Sequence, residues 1–234
     1  MKFHRVVIKI SGEALAGDKK TGFDFELISS VCAVLKKAAA QGVQIGIVIG
    51  GGNFWRGVKD GAGKIERVNA DRMGMLATCM NCIAVCDVLR QLGAKARVMT
   101  AVDIMGVGER YDTRRAIEYL EAGEIILFAG GSGAPFFSTD TAAALRAAEI
   151  HADAILLAKN VDGVYDSDPN VNPAAVKFDR ISYAEVLARR LAVMDTAATA
   201  LAMENDLPVA VFALKDPENI LRVLAGENVG TIVE

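Results

Sequence analysis

Histidine is scarce in this chain: His4 and His151 are the only two in 234 residues. Neither lies among the glycine-rich loops, and both read as surface or packed side chains. No Gly-x-Ser-x-Gly elbow is present either, so hydrolysis through a Ser or Cys nucleophile with a histidine base has little to work with. Charge of one sign is lacking too. Lys plus Arg number 26 against 29 Asp plus Glu, a net charge of −3, which gives no general electrostatic attraction to nucleic acid or anionic membranes. Any anionic ligand has to be held locally. No apolar run approaches the roughly 18 residues that a bilayer span needs. The start, Met1-Lys2-Phe3-His4, enters a strand pattern directly without the basic and apolar regions of a signal peptide, so the expected location is cytoplasmic. Two nucleotide motifs are missing as well. A P-loop at Gly63-Lys64 fails because Ile65 follows and Val58 stands where the first glycine belongs, and a dinucleotide fingerprint starting at Gly131 fails at Phe136.

Cysteine is present but sparse: Cys32, Cys79, Cys82 and Cys86. Without an export signal they are expected to be reduced thiols. The last three fall at helical spacings of three and four within a pattern that includes Met75, Leu76 and Ile83. That places them on one face, as small core side chains or, alternatively, as metal ligands.

An apolar content of 52% suffices for a large core. Short apolar runs at residues 5–10, 44–49, 97–99, 125–129, 154–157, 209–212 and 231–233 alternate with longer helical patterns at 26–40, 69–92, 113–122, 139–149, 183–192, 194–205 and 217–225. Asp24 is a plausible N-cap of the first, and Gly42, Gly93 and Gly123 close the first three. Residues 166–173 read as an ordered loop. Alternation of this kind predicts an α/β protein, a three-layer αβα sandwich around a mainly parallel central sheet. With no linker or internal repeat, a single domain over 1–234 is expected, its two functional halves meeting near Thr141.

Four of the apolar runs end in loops suited to a nucleotide: Ser11-Gly12, Gly50-Gly51-Gly52-Asn53, Gly130-Gly131-Ser132-Gly133, and Lys159-Asn160 leading to Gly163. Glycine costs backbone entropy and brings no side chain. The triple glycine is therefore expected to serve close approach of a phosphate to bare N–H groups rather than packing, a flexible turn being the alternative. In a parallel sheet these loops share one edge and converge. Ser138-Thr139-Asp140 opens a helix, where orphan N–H groups and the dipole favour an anion. Lys9 interrupts an apolar strand just before a glycine turn, which is costly unless it meets an anion or points to water from an edge strand. Arg56 is a further candidate, as is Asp71, which could equally be an ordinary first-turn acid. Chemistry that needs positioning and charge neutralisation more than a nucleophile is phosphoryl transfer.

These segments resemble the bacterial UMP kinases (uridylate kinases) of the amino acid kinase superfamily. The matching stretches are residues 8–15 (IKISGEAL), 48–57 (VIGGGNFWRG), 71–81 (DRMGMLATCMN), 135–140 (PFFSTD), 161–169 (VDGVYDSDP) and 193–195 (VMD), in family order over essentially the whole chain. The resemblance implies transfer of the γ-phosphoryl of Mg·ATP to UMP, with the magnesium carried by the nucleotide phosphates and no separate metal site. It implies that Lys9, Ile10, Ser11 and Gly12 bind ATP phosphates together with Gly52 and Arg56, and that Lys159, Asn160, Tyr165 and Asp168 hold the adenosine half. It places UMP on Gly51, Asp71, Ser132, Gly133, Ala134, Pro135, Phe136, Phe137, Ser138 and Thr139. Lys9, Arg56, Asp140 and Asp195 would act on the reacting phosphates. A homohexamer is implied, with the apolar stretch 73–88 as interface or core, and so is GTP or UTP as effector. Two departures stand out. Ser132-Gly133-Ala134-Pro135 replaces the family's usual Thr-Gly-Asn-Pro, removing an amide that could read the base, and residues 17–23, near the family's effector region, are longer than usual. Other classes that fit the loops are a non-catalytic nucleotide binder and a kinase acting on a carboxylate or carbamate.

Overall fold

In β1 (Arg5–Ile10), Val6, Ile8 and Ile10 enter one hydrophobic core and Val7 enters another, because successive side chains leave a strand on opposite faces. A strand that serves two cores has to lie inside a sheet covered on both sides. The computed structural model describes every residue except Gly57, Val58, Lys59, Asp60, Ala62, Asn170 and Ala192. Those exclude the last residue of the VIGGGNFWRG segment, the Val58 position of the rejected P-loop and the expected end of the 183–192 helix.

After β1 come α1 (Gly12–Ala16), a 3-10 turn (Gly17–Lys19), α2 (Phe25–Ala40), β2 (Gln44–Ile49), α3 (Arg67–Gln91), β3 (Ala96–Thr100), β4 (Glu109–Arg110), α4 (Thr113–Glu121), β5 (Ile125–Ala129) and α5 (Thr139–Glu149). The second part holds β6 (Ala154–Lys159), β7 (Val164–Tyr165), β8 (Lys177–Phe178), β9 (Arg180–Ile181), α6 (Tyr183–Arg189), α7 (Thr196–Glu204), β10 (Val209–Ala213), α8 (Asn219–Ala225) and β11 (Thr231–Val233). Among the described residues nine strands form one sheet in the order β4-β3-β5-β2-β1-β6-β10-β11-β9, parallel except for the β10 and β11 pair, while β7 and β8 form a separate antiparallel hairpin. One core holds side chains of α1, α2, α3 and α8; the other holds those of α4, α5, α6 and α7. The architecture is the expected αβα sandwich.

Helix ends follow local chemistry. Asp24 caps α2 by accepting the N–H groups of Glu26 and Leu27, and Gly42, Gly93 and Gly123 take left-handed φ values of 84°, 83° and 77° just past α2, α3 and α4, as glycine does at helix ends. The helix expected over 194–205 starts only at Thr196, because Asp195 folds back as its cap. The one expected over 183–192 stops at Arg189, since Arg190 is left-handed with φ 52°. The last helix begins at Asn219 rather than at residue 217. Helix α1 and the short strands β4, β7, β8 and β9 are too brief to carry a periodic signal.

Helix α3 contains an 18-residue window of mean hydropathy 1.4, half of it buried within the protein. It is apolar because it packs into the sheet's core through Cys79, Cys82, Val85, Cys86 and Leu89. All four cysteines are free and buried. Burial pushes the Cys32 thiol up to about 12 and raises Cys79, Cys82 and Cys86 as well, which is the behaviour of packed, unreactive thiols.

Candidate functional site

The four strands whose loops were expected to converge, β5, β2, β1 and β6, are consecutive in the sheet. All are parallel, with Ile10 level with Ile49 and Ala158. Ser11, Gly50 and Lys159 therefore leave the sheet side by side along one edge, the place where open α/β sheets bind ligands.

Lys9 lies on the central strand, which excludes the edge-strand alternative. Its side chain is 12% exposed, and its ammonium stands 2.7 Å from Asp140 Oδ1 in the first turn of α5. The approach is a charge contact without hydrogen-bond geometry, so that buried oxygen has no directed donor among the described residues. Ser138 caps α5, accepting the N–H groups of Asp140 and Thr141, and its hydroxyl donates to Asp195. Thr141 Oγ1 also donates to Asp195, at 3.0 Å. The Lys159 ammonium donates to the Val193 carbonyl. Burial pulls its pKa down, the Asp140 carboxylate opposes that, and the Lys9 charge adds to it. Two lysines and two carboxylates thus share one crevice with a helix N-terminus.

Burial would raise the Asp195 carboxyl, but hydrogen bonds from Ser138, the Ala198 N–H and Thr141 outweigh it and hold the group below its ordinary 3.8. A depressed folded pKa contributes stability that is present above 3.8 and lost as pH falls through the lowered value. Asp195→Asn removes that contribution. It should cost about 1 to 2 kcal/mol at neutral pH, because the amide oxygen can still cap α7 but the amide nitrogen cannot accept the Ser138 and Thr141 hydroxyls, and it should flatten the acid limb of stability below about pH 4. Urea melts of both proteins across pH 2 to 7 check this, and an unchanged acid limb contradicts it.

The triple glycine departs from expectation: it is packed. A Cβ on Gly51 would lie 2.9 Å from both Ala77 Cβ and the Gly74 carbonyl, and one on Gly12 would lie 2.3 Å from the Gly50 carbonyl. These glycines let the first loop, the second loop and α3 touch backbone to backbone. A reciprocal amide pair fixes the contact. Asn81 Nδ2 donates to Asn53 Oδ1 and to the Gly50 carbonyl, while Asn53 Nδ2 donates to Asn81 Oδ1 and to the Gly22 carbonyl. Gly52 is less crowded, its nearest neighbours being Glu13 and Arg56.

A cavity of about 300 Å³ opens beside this loop, lined by Gly51, Arg56, Asp71, Ser132, Ser138 and Thr139 among others. Phe137 lines it too, whereas Gly133, Ala134, Pro135 and Phe136 belong to the same loop outside that lining. Asp71 accepts the Phe136 N–H at 2.8 Å and the Arg67 guanidinium at 2.8 and 2.9 Å. Arg56 pairs with Glu13. The Ser132 hydroxyl bonds back to Ala134, donating to its carbonyl and accepting its N–H.

Lys159 joins the Lys9 group, but the other three residues expected to hold adenosine lie outside this cavity. Asn160 and Asp168 are exposed. Tyr165 sits in β7, its hydroxyl donating to Asp162 at 2.6 Å, and the Asp168 carbonyl accepts the N–H groups of Val171 and Asn172. Sequence reasoning missed Glu13, Trp55, Arg67, Gly74 and Thr78. Of these, Arg67 was accessible from its i, i+4 spacing to Asp71. Thr78 reaches the cavity through the path of α3, and Trp55 through the bond of its indole N–H to the Ala70 carbonyl on that helix. His4 and His151 are exposed and away from the crevice.

Residues 4–213 match the model of the amino acid kinase family. The chain is similar to the crystal structure of a UMP kinase from Bacillus anthracis at 38% identity and a TM-score of 0.96, covering 100% of this chain and 97% of that one. It is also similar to a UMP kinase from Ureaplasma parvum at 37% identity and a TM-score of 0.94, with each chain covered in full. A uridylate kinase from Archaeoglobus fulgidus matches at 27% identity and a TM-score of 0.77, again over both whole chains.

Proposed function

Because the chain belongs to the amino acid kinase family, we propose that it is a UMP kinase, moving the γ-phosphoryl of Mg·ATP onto the 5′-phosphate of UMP to give UDP and ADP in pyrimidine nucleotide synthesis. The observation that carries this reading is the cavity holding Gly51, Asp71, Ser138 and Thr139, set at the same sheet edge as the Lys9 and Asp140 pair. UMP occupies the cavity, with its ribose toward Asp71 and its phosphate toward Arg56, Ser138 and Thr139. ATP lies across Ser11, Gly12 and Gly52, with its adenosine toward Asn160, Tyr165 and Asp168. The acceptor is an ionised phosphate and needs no general base, so catalysis consists of holding two phosphates in line and neutralising the charge between them.

Lys9, Lys159 and Arg56 supply that charge. Asp140 and Asp195 hold the lysines and hydroxyls in place. Asp140 Oδ1, buried beside the Lys9 ammonium and with no directed donor among the described residues, is an oxygen of the kind that suits a hard cation. Among the described residues no group of three or more His, Cys, Asp or Glu gathers as a metal site. Asp140 would stand beside magnesium carried by the nucleotide phosphates, an ion that would supply positive charge to the transferring group. On this reading one domain carries an acceptor half over about 1–140 and a donor half over about 141–234. The enzyme is cytoplasmic and homohexameric, the exposed Met73, Leu76, Met80 and Ile83 of α3 supply one contact, and GTP or UTP acts as effector.

The test is a coupled assay with Mg·ATP against UMP, CMP and AMP. UMP should be converted much faster than the others, and equal rates remove the substrate assignment. Ala134→Asn restores a base-facing amide, and an added hydrogen bond to one base and not another is worth about 1 kcal/mol. It should raise the UMP to CMP ratio of kcat/KM about fivefold, and an unchanged ratio shows that residue 134 does not face the base.

A further inference from the structure

Asp71 has two partners, Arg67 and Phe136, to which the reaction scheme gives no role. Its carboxylate takes the Arg67 guanidinium through both oxygens, and Oδ2 also takes the backbone N–H of Phe136. Asp71 is mostly shielded, with 15% of its side chain exposed against 45% for Arg67. The guanidinium of Arg67 also stands over the Phe136 ring, 5.4 Å from its centroid. Phe136 itself holds φ at 72°, a conformation costly for a bulky residue and retained only where surrounding contacts fix it. Those contacts are Asp71 and Arg67. One arginine thus orients a carboxylate on the cavity wall and clamps the aromatic residue that ends the facing loop.

Resting on the kinase reading above, we propose that Arg67 is a positioning residue for the acceptor nucleotide. It fixes Asp71 so that Oδ2, which shares the Arg67 Nε–H with Oδ1, offers its remaining lone pair to one further donor, the Phe136 N–H in the free protein and a ribose hydroxyl in the complex. The N–H and the hydroxyl are both donors seeking the same lone pairs, so nucleoside entry replaces one hydrogen bond by another and frees residue 136. Arg67 stays in place through the exchange. Its effect is on binding of the ribose half and not on the phosphates, which lie with Lys9 and Arg56.

Trp55 supplies the readout. It is the only tryptophan in the chain, it lines the cavity, and its indole N–H donates to the Ala70 carbonyl next to Asp71. UMP titrated without ATP should change its fluorescence. Arg67→Gln should weaken UMP binding about fivefold, the upper range for a half-exposed ion pair, and raise KM for UMP by a similar factor while KM for ATP and kcat stay within about twofold. Arg67→Lys keeps the charge without the planar guanidinium that shares one Nε–H between both Asp71 oxygens and should recover part of the loss. In an Asp71→Asn background, Arg67→Gln should add little, since the pair acts as one unit. A full additional fivefold in that background would overturn the proposal, because Arg67 would then act on the nucleotide independently of Asp71. Equal binding of UMP by wild type and Arg67→Gln would overturn it as well. If the wild-type protein failed to bind UMP at all, the kinase reading itself would fall, and that outcome is separate from either of these.

Discussion

Lys9→Met should lower kcat for phosphoryl transfer from Mg·ATP to UMP about a thousandfold while leaving UMP binding close to that of wild type. The size follows from the setting. Single cationic groups that stabilise transferring phosphoryl oxygens are worth on the order of 10³ to 10⁵ in rate, and Lys9 is held on the central strand with 12% of its side chain exposed, where water does little to screen it. Methionine keeps the length of the stem and removes only the charge. It also leaves Asp140 unpaired at 17% exposure, a loss that should cost up to about 3 kcal/mol of stability. Lys9→Met/Asp140→Asn removes both charges, so its stability should recover while its rate stays low. Steady-state kinetics beside thermal melts of the two variants separate the effects. A single variant that kept more than a tenth of the wild-type kcat would show that this ammonium does not meet the transferred group.

Gly12→Ala should be the most damaging single methyl among the glycines of the strand-end loops at this site. The added carbon would sit 2.3 Å from the Gly50 carbonyl oxygen, 2.7 Å from Asn53 Oδ1 and 2.8 Å from the Gly52 nitrogen. Two of those three atoms are backbone and cannot step aside. Overpacking of this kind costs about 3 kcal/mol, and a loop displaced by about 1 Å at the reacting centre loses on the order of 10² in rate. Gly74→Ala is the contrast. Gly74 lies inside α3, and its nearest neighbour would be Trp55 Cδ1 at 3.9 Å. An alanine there should therefore stabilise by about 0.5 to 1 kcal/mol through helix propensity. Chemical denaturation of both variants orders them, and Gly12→Ala falling within 0.5 kcal/mol of wild type would mean that the two loops are not in contact.

Much of this was readable from the chain. Strands β1, β2 and β5 stand where their apolar runs placed them, because a parallel strand buried on both faces leaves an unbroken apolar signature. The boundaries of α2 and α5 follow from Asp24 and Ser138, whose side chains cap them. Lys9 was legible because a cation inside such a strand needs a reason. Its partner Asp140 was named, but the pairing was not, since it depends on α5 packing over β1. The triple glycine was read as serving a phosphate rather than packing, and Gly51 does pack. An absent side chain looks the same in sequence whether a phosphate or a neighbouring backbone comes close, and on the side where a Cβ would stand Gly51 and Gly12 meet backbone. The tie between Asp71 and Phe136 was invisible for another reason: it runs through a main-chain N–H presented by a left-handed residue, and side-chain spacing says nothing of that.

The hydrogen-bonded ladder running from β4 to β9 is unbroken, and β1 and β6 stand beside each other in its middle. On the kinase reading, the floor beneath both phosphates is therefore one continuous sheet. Any rearrangement around the nucleotides would then fall to the loops at the strand tips, where Ser11, Gly50 and Lys159 leave that sheet, and a substitution deep within it would act on folding before it touched turnover.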